Sequence, residues 1–331
     1  MAQGHGGRLN QAARHWGIPL ERWLDLSTGI NPCPWPVPGI PMHVWQRLPE
    51  DDDGLEATAR RWAGVPGEVG CLPVAGTQAA IQALPRLRSP GRVGVPAPAY
   101  SEHAEWWRAA GHEVVAFQSL PSEEQLAALD VLVWINPNNP TGGQVSRPRL
   151  MACHQQLAGR GGWLVVDEAF MDADPAETLL PETGLPGLVV YRSLGKFFGL
   201  AGLRAGLVFG SPELCNRLGE ALGPWGVSHP ARYVMQQALL DTNWQRATAA
   251  RLRVDSDRLA RLLSGAGLAP RGRTLLFVYC PHDNPHSLAD SLAEQAVLVR
   301  VFENPPALRF GLPGTESEWQ HLERALNAAT G

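Results

Sequence analysis

Lysine is almost absent from this sequence. Among 28 basic residues, 27 are arginine and one, Lys196, is lysine. Ala, Gly, Pro and Leu are abundant, so a compositional drift toward arginine explains the trend. Such drift removes lysine wherever a generic cation suffices, and the position that resisted it points to a need for a primary amine. A guanidinium stays protonated at any workable pH and cannot form an imine, whereas an ammonium can be desolvated into a nucleophile. Chance survival of one surface lysine is the plain alternative. Long apolar runs are lacking too: none reaches the length of a membrane span, and the opening MAQGHGGRLN has no apolar core of the signal-peptide kind, so no membrane partner is expected. Cysteine pairing is also missing. The five cysteines (Cys33, Cys71, Cys153, Cys215, Cys280) are odd in number and scattered without CxxC spacing. That argues against a disulfide frame or zinc site and suits reduced thiols of a cytoplasmic protein. A net charge of −4 gives no reason to expect nucleic acid.

The 331 residues, 44% hydrophobic and 18% charged, suit a soluble globular chain with one large and one smaller domain. Residues 1–35 read as an arm and irregular segment, 36–224 as the large domain, and 225–331 as a small α+β domain. Within 36–224, apolar strands at 92–95, 131–136, 163–167, 188–193 and 205–209 alternate with helices at 78–87, 101–110, 147–158 and 212–222. That order predicts a mostly parallel sheet covered on both faces. Beyond 225 a long helix over 231–263 precedes strands at 275–279, 297–302 and 308–310 and a last helix near 316–328. His282 and His286 share i, i+4 spacing, but Pro285 between them reads as a loop, and no metal site is expected.

In an open α/β sheet, ligands sit at the carboxyl ends of the strands. Ser193-Leu-Gly-Lys196 through Arg204 follows one such strand: a Ser three residues before the lysine and an Arg eight after it can reach one phosphate, and the intervening glycines allow close backbone approach. Asp167 ends another apolar strand, where a carboxylate is costly unless paired. A protonated pyridine nitrogen, as in enzymes of pyridoxal 5'-phosphate (PLP), is one suitable partner; a helix N-cap role is the alternative. Asn136-Pro-Asn-Asn139-Pro-Thr-Gly142 makes a rigid turn that can aim the Asn139 amide at a ring hydroxyl. Gly76-Thr77-Gln78 opens a helix, a common anion site. Tyr100 could lie against a ring face or be plain core.

With these segments in this order, over roughly residues 20–312, the chain resembles fold-type I PLP enzymes of the class I and II aminotransferase superfamily. The resemblance implies an α/β fold with a PLP fold-type I large domain, a smaller α+β C-terminal domain, and a homodimer. It implies Lys196 as the Schiff-base lysine, Asp167 as partner of the pyridine nitrogen and Asn139 as partner of the ring hydroxyl. Gly76, Thr77, Gln78, Ser193 and Arg204 would hold the cofactor phosphate, and Arg309 matches the arginine that grips the substrate carboxylate. His5-Gly6-Gly7, Leu24-Asp-Leu-Ser-Thr-Gly-Ile-Asn31-Pro32 and Asp167-Glu-Ala-Phe170 narrow the resemblance to threonine-phosphate decarboxylases of cobalamin biosynthesis. These act on O-phospho-L-threonine, a small phosphorylated amino acid. His5, Gly6, Asn31, Arg300 and Arg309 are the substrate-binding candidates, with the division of phosphate and carboxylate between the two arginines left open. Relatives often carry a tyrosine before a short acidic stretch, contacting the neighbouring subunit's cofactor; here the segment is Leu48-Pro49-Glu-Asp-Asp-Asp-Gly54. An aminotransferase of the histidinol-phosphate type, or a PLP-fold binding or regulatory module without turnover, are the competing readings.

Overall fold

The computed structural model describes residues 6–330. They form two compact units: Trp35–Asn139 with Gln144–Arg246, and the described residues up to Pro34 with Pro140–Gly143 and those from Ala247 onward. In chain order the strands are β1 (Leu24–Asp25), β2 (Gly70–Val74), β3 (Arg92–Pro96), β4 (Glu113–Phe117), β5 (Val131–Ile135), β6 (Trp163–Asp167), β7 (Leu188–Ser193) and β8 (Gly206–Gly210). Five more follow: β9 (Gly272–Thr274), β10 (Phe277–Pro281), β11 (Val297–Leu298), β12 (Arg300–Glu303) and β13 (Pro306–Gly311).

The first unit is built on a seven-stranded sheet in the order β2-β8-β7-β6-β5-β3-β4. Only β8 runs against the rest, as the antiparallel pairings β7–β8 and β2–β8 require. β5, β7 and β8 are buried along their whole length, the pattern of strands covered on both faces. Val131, Val133, Val165, Val189 and Tyr191 line one face and meet Ile81 of helix Thr77–Ala83, Trp107 of helix Ser101–Ala109 and Leu218 of helix Pro212–Leu222. Each such side chain taken out of water contributes about 1.5–3 kcal/mol. The mostly parallel sheet expected from the sequence is therefore present.

In this sheet two strands escape a pattern-based reading, β2 and β4, and both lie at its edges. β2 contains Pro73, whose missing N–H an edge strand tolerates. The long helix expected over 231–263 is two helices, His229–Leu240 and Thr242–Gly265. Asp241 makes the break: its carboxylate accepts the Trp244 N–H at 3.0 Å and the Trp35 indole N–H at 3.1 Å, competing with the helix backbone for donors.

The second unit holds the four-stranded antiparallel sheet β12-β13-β10-β9 and the short parallel pair β1–β11. The C-terminal region thus has the α+β character expected. The β1–β11 pairing draws the N-terminal segment into this unit, so the compact units and the sequence segments 1–35, 36–224 and 225–331 divide the chain differently. The opening segment is not wholly irregular either: Leu9–Trp16 is a helix closed by Gly17 in the left-handed region. The loop expected around His282 and His286 is corrected in part. Pro285 begins helix Pro285–Glu294, because the first helical position has no N–H to lose, and His286 lies within that helix.

Candidate active site

Asp167 and Ser193 end neighbouring parallel strands, and Asn139 follows the next one, β5. The turn after β5 is closed by Asn136, whose amide donates to the Val145 carbonyl (2.9 Å) and accepts the Val145 N–H (2.8 Å). Asp167 is 5% exposed. Its Oδ1 accepts the Ala169 N–H (3.0 Å), and its Oδ2 lies 2.9 Å from His103 Nε2, which donates to it. The His103 ring is buried and stacked at 7° to Tyr191, the residue paired with Asp167 across β6 and β7. The sequence reading passed over His103; its signal is the three-residue spacing from Tyr100, which puts both on one side of a helix start.

Beside this carboxylate lies a buried charge cluster. Arg192 bonds Asp172, Thr178 Oγ1 (2.8 Å) and Glu168 (3.0 Å). Burial pushes the carboxyls of Glu168 and Asp172 above their usual range, against the opposing pull of Arg192. Glu168 directly follows Asp167 and Arg192 directly precedes Ser193, so the cluster clamps the ends of β6 and β7. An arginine inside the apolar run Leu188–Ser193 is the sequence signal for it.

Lys196 lies in the turn after β7. Its Nζ is 5.4 Å from the centroid of Phe170, and its carbonyl accepts the Gly199 N–H at 3.1 Å. Ser193 Oγ accepts the Gly195 N–H at 3.2 Å. Downstream, Phe198 stacks on Trp244 at 5.7 Å and Phe197 meets the same indole edge-on, anchoring the turn. Arg204 reaches the start of helix Thr77–Ala83. Gly76 there has φ +73°, a backbone conformation that favours glycine, and the position a Cβ would take lies 2.7 Å from Arg204 Nη2. The side chain of Gln78 bonds Tyr100 Oη at 3.1 Å. Burial, then the charge of Glu102, pushes the Tyr100 phenol up to about 12.

The remaining candidates lie in the other unit, except His5, which falls outside the described residues. Arg309 is 5% exposed, donates from Nη2 to the Ser27 carbonyl (2.9 Å) and lies 4.9 Å over Phe277. Burial, then the charge of Arg300, lowers its guanidinium from the ordinary range. Arg300 is half-buried and lies 5.3 Å over Phe302. Gly6 packs on the Ser27 backbone so closely that a Cβ would meet its carbonyl oxygen at 2.4 Å, and the Gly7 N–H donates to Ser27 Oγ at 2.8 Å. Asn31 is buried; its Oδ1 accepts from the Cys33 N–H (3.1 Å) and Arg251 (2.7 Å).

Residues 55–326 match the sequence profile of aminotransferase class I and II. The chain belongs to the class I and II aminotransferase family. This aminotransferase-family chain is 51% identical over 322 residues to a threonine-phosphate decarboxylase from Pseudomonas aeruginosa, covering 97% of this chain and 96% of that protein. It is 40% identical to a threonine-phosphate decarboxylase from Sinorhizobium over 328 residues, covering 97% of each. Its fold is similar to that of a histidinol-phosphate aminotransferase from Sinorhizobium meliloti solved in complex with pyridoxal-5'-phosphate, at a TM-score of 0.79 and 19% identity over 97% of this chain and 94% of that one.

The residues of this class I and II aminotransferase chain fit that cofactor. The glycine-lined cradle of Gly76 and Arg204 at a helix start suits a phosphate. A buried carboxylate steadied by a histidine suits a protonated ring nitrogen, and the turn after β7 carries the chain's one lysine amine, suited to an aldehyde.

Proposed function

We propose that this chain is a PLP-dependent threonine-phosphate decarboxylase, converting O-phospho-L-threonine into (R)-1-amino-2-propanol O-phosphate and carbon dioxide in cobalamin biosynthesis. Near-full-length identity of 51% to a protein of that name carries the reading. The cofactor residues described above support it.

PLP, when bound, supplies an aldehyde for the substrate amine and a ring that accepts the electron pair released at Cα. Lys196 would hold the aldehyde through its amine until a substrate amine takes it. Asp167, kept in place by His103 and Ala169, holds the proton on the ring nitrogen. Arg204, Ser193 and the helix start at Gly76-Thr77-Gln78 take the cofactor phosphate, and Asn139 takes the ring hydroxyl. Arg300 and Arg309 bind the two anionic groups of the substrate, with Gly6 and Asn31 lining the same pocket. Their bidentate forks fix the torsion about Cα and so choose which bond breaks. Loss of the carboxylate as carbon dioxide would leave an electron pair at Cα for the bound ring to accept; Lys196 Nζ would then return a proton to Cα and, by taking the aldehyde back, free the amine product.

Phe170 stands in Asp167-Glu-Ala-Phe170 and carries no hydroxyl to share in holding the ring oxygen, which leaves that task to Asn139. The protein works as a homodimer in the cytoplasm. Met42, Trp45 and Leu48 are 67%, 58% and 61% exposed in one short segment, an apolar surface that a second copy would cover. No described helix is long and apolar enough to cross a membrane.

The test is a product assay on purified holoenzyme. Phosphothreonine should release carbon dioxide without any keto acid. Keto-acid-dependent amino transfer from histidinol phosphate, with no decarboxylation, would replace this reading with an aminotransferase.

A further inference from the structure

Gln78 opens a helix whose backbone N–H groups suit a phosphate, yet its side chain is engaged elsewhere. Tyr100 Oη donates to Gln78 Oε1 at 3.1 Å, Gln78 Nε2 donates to Glu102 Oε2 at 2.5 Å, and Trp106 Nε1 donates to the same oxygen at 2.9 Å. Chemistry fixes the polarity of this chain: the amide oxygen only accepts, the amide nitrogen only donates, and the carboxylate only accepts. The phenol must then be the donor and keep its proton. Glu102 and Trp106 lie one turn apart on helix Ser101–Ala109, so their bond is set by the backbone. On its other side, the Tyr100 ring meets His103 edge-on, with centroids 6.3 Å apart at 82°, and His103 is the residue bonded to Asp167.

We propose that Gln78 is a positioning residue: by taking the Tyr100 hydroxyl while Glu102 and Trp106 hold its amide, it fixes the tilt of the Tyr100 ring against the cofactor ring. This rests on the PLP reading above. The hydrogen bond from Oη to Gln78 and the ring contact with His103 constrain the phenol at two points, the first of which a hydrophobic side chain at position 78 could not supply.

The experiment compares holoenzymes of the wild type, Gln78→Leu, Tyr100→Phe, the double variant and Gln78→Glu. Cofactor affinity is read from fluorescence quenching, and the asymmetry of the bound chromophore from visible circular dichroism. Gln78→Leu and Tyr100→Phe should each weaken PLP binding by roughly three- to tenfold, the loss of one partly buried hydrogen bond, and reduce the dichroism. The double variant should be no worse than either single one. Gln78→Glu should match Gln78→Leu at about pH 8, where two carboxylates repel. Relative to wild type it should recover below about pH 6, where the new carboxyl regains a proton, accepts from Tyr100 and donates to Glu102. A Gln78→Leu protein with wild-type affinity and dichroism, additive losses in the double variant, or no acid recovery of Gln78→Glu would each overturn the positioning role. A wild-type protein that takes up no PLP would instead overturn the functional reading itself.

Discussion

Arg300 lies directly opposite Arg309 on the adjacent antiparallel strands β12 and β13. Two guanidinium-bearing residues therefore share one face of a small sheet, and like charges in that relation are destabilising. Burial lowers both from their ordinary range; the charge of Arg300 adds to it in Arg309, and that of Arg8 in Arg300. A ligand placing anionic groups beside both would relieve this repulsion.

Arg300→Gln should therefore raise the melting temperature of the ligand-free protein while weakening substrate binding. The KM for phosphothreonine should rise roughly ten- to hundredfold, corresponding to about 1.5–3 kcal/mol for a lost charged hydrogen bond. Thermal denaturation and initial rates check the pair of effects. A lower melting temperature with an unchanged KM would contradict it.

Gly76→Ala should loosen the phosphate cradle. At φ +73° and ψ 156° an L-residue is strained by about 1–3 kcal/mol, and its Cβ would collide with Arg204. A tenfold or greater loss of PLP affinity is expected in a cofactor titration, roughly the lower half of that strain. Unchanged affinity would place the cofactor phosphate elsewhere.

Thiol reactivity should single out Cys33. Burial pushes Cys71 and Cys153 above their usual range and raises Cys215 and Cys280 to about 12. A raised pKa means less thiolate at any given pH, and thiolate is the reactive form. Cys33 is half-buried while the other four are buried. In native protein at about pH 8 a disulfide reagent should titrate one thiol quickly, with the other four appearing on unfolding. Two or more fast thiols before unfolding would contradict the burial pattern.

Trp45→Glu should shift the protein from the mass of two chains toward one in light scattering, because a charge on the exposed apolar segment 42–48 opposes its burial against a second copy. A dimer that persists unchanged would place the interface on another surface.

The strands that carry the site were legible because β5, β6 and β7 are mostly apolar runs, and the polar residues at or just beyond their ends stand out. Composition singled out Lys196, and Ser193, the glycines and Arg204 around it made it a site candidate. Other features depend on contacts that no local pattern encodes. His103 and Asp167 are 64 residues apart in sequence, so their bond is visible only once helix and sheet are packed. Pro73 kept β2 from reading as a strand, since sequence cannot say that a strand will lie at an edge. The break at Asp241 was missed although an Asp three residues before Trp244 is a local helix-cap signal; only its Trp35 contact, 206 residues away in sequence, needs the fold.

Borohydride reduction of the PLP-loaded protein, followed by peptide mapping, tests the central claim most directly. A single pyridoxyl group on the peptide containing Lys196 is the predicted result. A chromophore that survives with Lys196 unmodified would contradict it.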